Sequence, residues 1–417
     1  MEQPELIAHK PLEKPVKITE HQWPKNVKPI VTIRCVTFNH VNFIRDAVEG
    51  FLMQETTFPV QILIYDDAST DGTSDVVREY EQQYPQLIHA IIPSENQYSK
   101  GIKNGVFFAP LIKGEFVAIC EGDDYWITKD KLQKQISILI GDRSLSLVFH
   151  NAWVKHGNCL ADYFINRGIQ KHRFTIEDII LNDWFIATAS IVYRASHHDL
   201  NPCMSFTLGG DMVRQMTSGL HGDLQYLDEV ASVYRRHEGG VSNEFWKVGE
   251  FHHRKLLPNH VWTYLIFNSV VAQGKYDRIV ESRIASLLSR ISRFHLMSCI
   301  DNQFLKIAEI QERVLDDVKK SLPKQQISED LKCNEWDRIE RIVNKNIHIW
   351  HEHHLANAAI LLASQRKFRR MFVLIILSML RFKLGLRGLA SITFISLSHI
   401  FRKLAMRISR TFLNCTV

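Results

Sequence analysis

The amino-acid sequence predicts an α/β protein in which a mostly parallel sheet, flanked by helices, is followed by an α-helical C-terminal region. Over the first 150 residues, short β-branched apolar runs alternate with segments of helical period, which is the pattern of a parallel sheet with helices on both faces. Polar clusters follow three of these runs, at the positions where open parallel sheets bind ligands. From about residue 246, turn-forming residues become few and the helical period prevails.

The elements of the sheet can be placed in order along the chain. Strands are predicted at 30–36, 60–65, 87–92, 115–120 and 145–149, with helices at 44–52, about 74–84, 100–112 and 131–140. A further strand is predicted at 188–194. A loop that enters a helix is predicted at 206–216, and the segment 224–242 completes the α/β part of the chain. Pro59 separates the first helix from VQILIY, a run with the length and β-branching of a buried strand.

Composition divides the chain into four regions. We predict a proline-containing tail at 1–28, an α/β domain at 29–245, a helical domain at 246–365 and a basic amphipathic tail at 366–417. From His353 to Val417 there are eleven Lys or Arg and no Asp or Glu. Alternating basic and apolar runs are typical of segments that lie in a membrane interface and attract anionic lipid. A helical pair packed on the helical domain is the alternative, and the apolar runs argue against a nucleic-acid partner.

The cysteines and the N-terminal residues bear on location. Seven cysteines are scattered without a C-x-x-C pair, which argues against a disulfide framework or zinc site and favours a reducing compartment. The first residues are polar and lack the apolar segment of a secretory signal. The longest apolar run is about half of the roughly 20 residues that a spanning helix needs. We therefore expect a cytoplasmic protein, peripheral on the cytoplasmic face of a membrane that the basic tail contacts.

Paired acids follow two of the predicted strands. Asp123 and Asp124 follow the fourth strand, and adjacent carboxylates there suit Mg²⁺ or Mn²⁺, which takes one or two carboxylates plus substrate phosphates. Asp66 and Asp67 follow the second strand, where an acid can accept hydrogen bonds from a base or ribose. Taken alone, each pair fits a helix cap or an Asx-turn better. Because both loops lie at one edge of the predicted sheet, together they favour a ligand site.

Three segments, taken together, resemble a known family: VTIRCVTFNHVNFIRDAVEGFLMQ, ILIYDDASTDGTSDVV and KGEFVAICEGDDYW. In order and spacing they are similar to the GT-A type nucleotide-diphospho-sugar fold of the family 2 inverting glycosyltransferases. TLGGDMVRQM and YLDEVASVYRRHEGGVS resemble the acceptor-side half of the same domain. The resemblance covers about residues 29–245. It implies a metal-dependent, inverting enzyme that moves a sugar from a nucleotide-sugar donor, with a UDP-sugar favoured, to an acceptor hydroxyl.

The resemblance implies a donor-binding role for five residues. Thr37 and Phe38 are expected to border the nucleotide base, with Phe38 where relatives often place a tyrosine. Asp67 is expected to bind the base, and Asp66 to support it. Lys100 is expected to contact the donor, although insertions around 98–112 make that part of the alignment loose.

It also implies a metal and a leaving-group site. Asp123 is expected to contact the ribose or the metal, Asp124 to be the principal metal ligand, and His237 to reach the metal or the donor diphosphate. Arg235 or Arg236 is expected to help the metal stabilise the charge that grows on the leaving diphosphate.

On the acceptor side, the resemblance makes Asp211 the general base that removes the proton of the attacking hydroxyl. Gly209 and Gly210 precede it and leave room for a sugar. Without the resemblance, a helix cap is the better interpretation of Asp211. Trp184 and Phe185 fit an acceptor platform and core packing equally well.

Two other functions remain as alternatives. A nucleotidyltransferase also places acids and metal around a nucleotide, but it would carry a Gly-rich basic loop near the first strand, and VTFNHVNF offers neither. An inactive membrane-bound sugar-binding or scaffold protein would not need Asp123, Asp124, Asp211 and His237 together. We expect the acceptor to be a glycan or lipid-linked glycan in surface polysaccharide synthesis, an inference by analogy from the membrane-seeking tail.

Overall fold

A computed structural model describes residues 10–24, 26–157, 159–166, 168–197, 202–238, 240, 251–299, 307–322 and 328–364. Within these ranges, none of the helices combines the length and the hydropathy that a membrane crossing requires. The predicted basic tail at 366–417 lies outside the described residues.

Most of the strands form one twisted sheet. The strands are β1 (Val16–Lys17), β2 (Val31–Thr37), β3 (Glu55–Thr56), β4 (Val60–Asp66), β5 (Ile88–Ile91), β6 (Phe116–Glu121), β7 (Tyr125–Trp126), β8 (Leu145–His156), β9 (Cys159–Phe164), β10 (Arg173–Phe174), β11 (Val192–Arg194) and β12 (Asp223–Arg236). The main sheet has the order β10-β12-β8-β11-β6-β2-β4-β5, with β7 added to β12 and β9 to β8. The four strands β6, β2, β4 and β5 run parallel, as do β8 and β12, whereas β11 is antiparallel to both of its neighbours.

Helices cover the sheet and then make up the C-terminal part of the described chain. They are α1 (Ile44–Leu52), α2 (Thr73–Gln83), α3 (Gly105–Phe108), α4 (Lys131–Gly141), α5 (Ile176–Leu181), α6 (Gly210–His221), α7 (Leu257–Ile266), α8 (Asp277–Cys299), α9 (Ile307–Lys320) and α10 (Glu329–Ser364). Two π-helical turns, His252–Leu256 and Phe267–Val271, flank α7. The described residues divide into two compact units: the larger contains those up to 291 together with 311–344, and the smaller contains 292–299, 307–310 and 345–364.

The alternation of side chains along the parallel strands builds the core. Ile33 and Cys35 of β2 point to one face, where they join the main apolar cluster with Phe51 of α1 and Ile136 of α4. On the other face, Leu63 and Tyr65 of β4 pack with Phe108. Because both faces are covered, the strands read as continuous apolar runs, which is why the sequence alone located them. The predicted α/β fold with a mostly parallel sheet is confirmed.

Three elements differ from the sequence-based prediction. The described part of the expected tail at 1–28 contains β1, which pairs with β3, and Ile18, which is buried in the main core. The helix expected at 100–112 is reduced to α3, because the apolar residues there pack as a short loop against β4. The strand expected at 188–194 begins with a 3₁₀ turn, Thr188–Ser190, and only β11 pairs in the sheet.

Candidate active site

Polar loops meet at the edge of the sheet where β2, β4 and β6 end. The backbone N–H of Asp67 donates to the carbonyl of Thr37 at 3.0 Å, and the N–H of Gly122 donates to the carbonyl of Val36 at 2.8 Å. The loops after these parallel strands are therefore held side by side, as their order in the sheet requires.

The loops after β2 and β4 are also bonded to each other. The N–H of Asn39 donates to Ser69 Oγ at 2.8 Å, and the N–H of Thr70 donates back to Asn39 Oδ1 at 2.9 Å. Asp71 Oδ2 accepts from the N–H of Val41 at 3.0 Å. Asn39 has a left-handed backbone with φ of 54°, a conformation that asparagine tolerates better than most residues. These bonds fix the path of the segment that carries His40.

Asp66 and Asp67 both accept hydrogen bonds from residues of the protein's own loops and strands. Asp66 is fully buried, and its carboxylate accepts hydrogen bonds from the hydroxyls of Ser69 and Ser74. One oxygen of Asp67 accepts from the Tyr65 hydroxyl at 2.8 Å. Its two oxygens also accept from the backbone N–H groups of residues 97 and 98, at 2.8 and 3.0 Å. Base binding by Asp67 stays a prediction, and this carboxylate also shapes the loop at 96–98.

Thr37, Phe38 and Gly122 form the centre of this edge. Thr37 is buried, and a Cβ atom on Gly122 would lie 2.6 Å from Thr37 Oγ1, so only glycine allows the two strands to end this close together. The ring of Phe38 is 43% exposed. It is therefore accessible for the base stacking that the sequence predicts.

The pairing of β7 with β12 brings Asp123 to His237. Tyr125 stands opposite Val233 in this antiparallel pair, so the residues just before β7 face those at the end of β12. His237 Nε2 lies 3.1 Å from Asp123 Oδ2. His40 Nε2 approaches the same oxygen at 3.8 Å.

Asp123, His40 and His237 together form a candidate metal site. One ligand atom from each of the three residues lies within 4.8 Å of the other two. Burial disfavours the charged form of Asp123, but the hydrogen bond from His237 and the charges of both histidines outweigh it, so the pKa of Asp123 lies below its usual value. Burial lowers the pKa of His40, an effect that the charge of Asp123 partly offsets. An ionised carboxylate and a neutral imidazole are the forms that bind metal.

Asp124 lies outside this group of three. It is 1% exposed, its Oδ1 accepts from the backbone N–H of Arg235 at 2.8 Å, and its Oδ2 is buried without a hydrogen-bond partner in the described part of the chain. Burial, reinforced by the charges of Asp123 and Glu121, raises the pKa of Asp124 well above its usual value. The geometry favours Asp123 over Asp124 as the carboxylate ligand.

Arg235 is engaged inside the protein. It is 5% exposed and donates to the carbonyl of Asp123 at 2.8 Å and to the carboxylate of Asp46. Its guanidinium also lies over the ring of Tyr125, 4.2 Å from the centroid. Arg235 therefore braces the backbone of the Asp123 loop, which is a different role from the diphosphate contact that the sequence suggested.

Glu121 is an acid that the sequence-based prediction did not include. As the last residue of β6, it points to the face opposite the buried Cys120 and keeps solvent contact. Desolvation and the charges of Asp123 and Asp211 raise the pKa of Glu121 to about 8. The sequence does contain an indication of this acid, because Glu121 and Asp123 lie two residues apart at the end of a predicted strand.

Asp211 stands in the first turn of α6. Its Oδ2 accepts a hydrogen bond from the indole N–H of Trp184 at 2.7 Å, and its Oδ1 accepts from the N–H of Met212 at 2.9 Å. Burial raises the pKa of Asp211, an effect that these two hydrogen bonds partly offset. Since the charge of Asp211 also raises the pKa of Glu121, the base predicted from sequence lies close enough to the donor-side acids to interact with them.

The two aromatic residues of NDWFIATAS have separate places. Trp184 bonds to Asp211 and packs beside Tyr234, with ring centroids 5.5 Å apart. Phe185 packs on Phe149 and Phe174 at 5.9 and 5.2 Å, which is core packing.

The loop that carries Trp184 is anchored by ion pairs. Asp183 Oδ1 accepts from Arg283 and from Arg290, each at 2.9 Å. Both arginines belong to α8, so two residues of the helical region fix the loop next to the predicted base.

Lys100 is not brought to the site by this structure. Its ammonium pairs with Glu95 on the surface. Lys103, three residues later, is half-buried, lies over the ring of Tyr98 at 5.4 Å and approaches the carbonyl of Thr207 at 3.5 Å. The sequence-based prediction named Lys100 from an alignment that is loose over 98–112, and it did not consider Lys103.

Comparison with known proteins identifies a family for this chain. The model of a family described as glycosyl transferase family 2 matches residues 32–158, from β2 through the end of β8. The putative teichuronic acid biosynthesis glycosyltransferase TuaG of Bacillus subtilis is 33% identical over 228 residues, which cover 54% of this chain and 86% of TuaG. Uncharacterized protein Rv1520 of Mycobacterium tuberculosis is 32% identical over 213 residues, 51% of this chain, and the match spans 60% of that relative's length.

Among solved structures, S. aureus TarS 1-349 in complex with UDP-GlcNAc is similar, with a TM-score of 0.49 and 17% identity over 79% of this chain and 91% of that chain. The sheet, with acids at the carboxyl edge of its parallel strands, defines the class: an α/β protein with a candidate ligand site at that edge. Within that class, the chain belongs to glycosyl transferase family 2.

Proposed function

We propose that this protein transfers a sugar from a nucleotide-sugar donor, a UDP-sugar by preference, to the hydroxyl of a glycan acceptor, with inversion and with the help of a divalent metal. The observation that carries the proposal is the division of acids across one site. Asp123 lies with two imidazoles on the donor side, and Asp211 lies within electrostatic reach on α6.

The side chains present fit a divalent metal. Asp123 and His237 offer a carboxylate oxygen and an imidazole nitrogen 3.1 Å apart, and the low pKa of Asp123 keeps the oxygen ionised. When bound there, Mg²⁺ or Mn²⁺ would neutralise the charge that develops on the departing diphosphate. Arg235 contributes by holding the backbone of the Asp123 loop in place.

Asp211 fits the general base. Its raised pKa makes it a stronger proton acceptor than an exposed aspartate, and its two hydrogen bonds leave the carboxylate in one orientation. A single in-line displacement needs one base on the face of the sugar opposite the leaving group, and it inverts the anomeric centre. Gly209 and Gly210 precede it, and a Cβ atom on them would meet His260 Nε2 at 3.1 Å and Met204 Cε at 3.3 Å. These glycines therefore allow close packing at the start of α6, and the room for a sugar that the sequence suggested is not found directly beside them.

The nucleotide would lie along the loops after β2 and β4. The exposed ring of Phe38 supplies a stacking surface. Beside it, Gly122 closely approaches Thr37, so no side chain stands between these two strand ends. Asp67 would reach the base through its carboxylate or through the loop at 96–98 that it organises.

The acceptor is proposed to belong to surface polysaccharide or lipid-linked glycan synthesis. TuaG, which this chain covers over most of its length, is named for teichuronic acid biosynthesis. The location that we propose is the cytoplasmic face of a membrane, with residues 366–417 as the contact. That segment lies outside the described residues, so its composition alone supports this part.

A nucleotide-sugar panel tests the proposal. The full-length protein is incubated with Mn²⁺ and each of several UDP-, GDP- and dTDP-sugars, and the products of slow donor hydrolysis are identified by chromatography. Release of a nucleoside diphosphate and free sugar from at least one donor is the expected result. Release of a nucleoside monophosphate and sugar phosphate would indicate attack at phosphorus instead. No turnover and no thermal stabilisation by any nucleotide would refute the assignment.

A further inference from the structure

We propose that His40 is a metal ligand, so that this site holds its ion with two imidazoles and one carboxylate and selects Mn²⁺ or Co²⁺ over Mg²⁺. The inference rests on the metal dependence in the proposed function, and it adds both a ligand and a preference among metals. The sequence suggested two neighbouring aspartates and His237 as ligands, a set richer in oxygen than the one the structure assembles.

The distances around Asp123 Oδ2 suit a shared ion. His237 Nε2 lies at 3.1 Å and His40 Nε2 at 3.8 Å from this oxygen, and the ligand atoms of all three residues fall within 4.8 Å. Two ligand atoms that each lie about 2.1 Å from one ion are about 3 Å apart when they meet it at a right angle. Small side-chain movements would therefore bring the three atoms onto one ion.

The backbone around His40 is held in place before any ion binds. Its N–H donates to Thr73 Oγ1 at 2.8 Å, and its carbonyl accepts from the N–H groups of Phe43 and Ile44 at 2.8 and 2.9 Å. The ring of Phe43 packs against both imidazoles, with centroids 6.2 Å from His40 and 4.6 Å from His237. The two histidines come from opposite ends of the domain's sequence, yet one aromatic ring supports both.

The surroundings of the His40 ring also favour its role as a metal ligand. Its other nitrogen, Nδ1, is buried and has no hydrogen-bond partner among the residues that the structure describes. No hydrogen bond therefore draws the ring away from Asp123. The imidazole rings of His40 and His237 stand at 86° with centroids 5.8 Å apart, so both edges turn toward the shared carboxylate rather than stacking.

Ligand chemistry then sets the preference. Mg²⁺ demands oxygen ligands and retains its waters, whereas imidazole nitrogen suits first-row transition metals. A site with one carboxylate oxygen and two nitrogens gives Mg²⁺ a single favoured ligand. Three protein ligands also leave positions open for diphosphate oxygens.

The test compares metal binding by the wild-type protein and by His40→Ala, with Mn²⁺ or Mg²⁺ as the probe, alone and with UDP or GDP added. Binding is followed by calorimetry and by the paramagnetic resonance signal of free Mn²⁺. We expect the wild type to bind Mn²⁺ at least 10-fold more tightly than Mg²⁺. We expect His40→Ala to lose about 10- to 100-fold in Mn²⁺ affinity, the scale typical of disturbed metal coordination, and less than 2-fold for Mg²⁺.

Spin-echo spectra of bound Mn²⁺ supply a second readout, because directly bound nitrogens couple to the metal. Two imidazole couplings are expected in the wild type and one in His40→Ala. His89→Ala is the matched control, since this exposed histidine pairs with Glu81 away from the site. His40→Gln keeps a neutral polar side chain of similar reach and is the second variant if the alanine variant does not fold; its amide oxygen should shift the preference toward Mg²⁺.

Unchanged Mn²⁺ affinity and nitrogen couplings in His40→Ala would overturn the inference and leave the proposed function standing if Asp123→Ala still abolishes binding. A wild-type protein that turns over donor without any divalent metal would overturn the metal dependence and this inference together. Equal wild-type affinity for Mn²⁺ and Mg²⁺ would overturn the preference.

Discussion

At the scale of single residues, the site contains two neighbouring aspartates with opposite tendencies. Asp123 is drawn toward ionisation by two imidazoles, whereas Asp124 is buried with one unpartnered oxygen. The sequence shows only that the two are adjacent. Which one faces the ligand depends on β7, whose pairing with β12 turns Asp124 toward the backbone of Arg235.

Asp124→Asn should stabilise the metal-free protein at neutral pH. Because the folded-state pKa of Asp124 lies above its usual value, the unfolded chain ionises first as pH rises, and the wild type loses stability above about pH 4. The amide removes this loss and can still accept the hydrogen bond from Arg235. Melting temperatures should coincide below about pH 4 and separate as pH rises. A separation that is largest at acid pH, or an asparagine variant less stable throughout, would show that Asp124 is charged in the fold.

Trp184→Phe should impair Asp211 without affecting the donor site. The indole N–H is a hydrogen-bond donor to the carboxylate, and such a bond to a charged group contributes about 1.5–3 kcal/mol. Without it the pKa of Asp211 rises, so the acid limb of the pH profile of kcat/KM moves to higher pH. We expect kcat at neutral pH to fall about 10-fold or more, because less of Asp211 is ionised and its carboxylate is no longer held in one orientation, with donor affinity unchanged.

Trp336→Phe is the control for this variant. It also removes an indole N–H that donates to a carboxylate, that of Glu340 at 2.7 Å on α10. Its pH profile should match that of the wild type. A Trp184→Phe profile of unchanged shape, with only a lower melting temperature, would reduce Trp184 to a packing residue.

At the scale of elements, the central strands could be predicted because both faces of β2, β4 and β6 are buried and the runs are unmistakably apolar. The loop residues that reach the site were harder to predict. His40 was not singled out from the sequence, since the long-range pairing of β7 with β12 is what brings His237 beside it. Lys100 and Lys103 both follow the third parallel strand, and no local pattern states which one turns inward.

Gly122→Ala tests the close approach of two strand ends. A Cβ atom there would lie 2.6 Å from Thr37 Oγ1 and 2.7 Å from Thr37 Cβ, so β2 and β6 would have to separate. Overpacking of this kind typically destabilises by about 1–3 kcal/mol. We expect a loss of that size in denaturant unfolding and weaker nucleotide binding. Gly141→Ala is the control, because a Cβ atom there meets nothing within 4 Å. Equal stability of the two variants would contradict the geometry.

At the scale of the whole molecule, the family match and the candidate site concern the α/β domain, and residues of the helical region bond to that domain. Arg283 and Arg290 anchor Asp183, and Asn259 bonds to the backbone of residues 206 and 208. The sequence predicted that helices follow residue 246 but not that one of them reaches the loop of Trp184. Ion pairs between segments that are distant in the sequence produce no periodic pattern of residues from which they could be predicted.

Residues 366–417 should attach the protein to anionic membranes. Polybasic segments gain about 1 kcal/mol per Lys or Arg near an anionic surface, and apolar burial adds to this. Full-length protein should float with anionic liposomes, less so in high salt because screening removes the electrostatic share. A chain truncated after Gln365 should stay unbound. Equal flotation of both would contradict this role, and resistance of the full-length protein to salt and alkaline carbonate would indicate insertion instead.

The measurement that tests the central claim most directly is a paired assay of donor binding and turnover on three proteins: wild type, Asp123→Ala and Asp211→Asn. With Mn²⁺ and the best donor from the panel, calorimetry measures affinity and nucleoside diphosphate release measures turnover. We predict that Asp123→Ala loses metal-dependent binding. We predict that Asp211→Asn binds donor like the wild type but transfers about 10²–10⁴-fold more slowly, the usual scale for a lost general base. Wild-type transfer by Asp211→Asn, or unchanged metal-dependent binding by Asp123→Ala, would contradict the account.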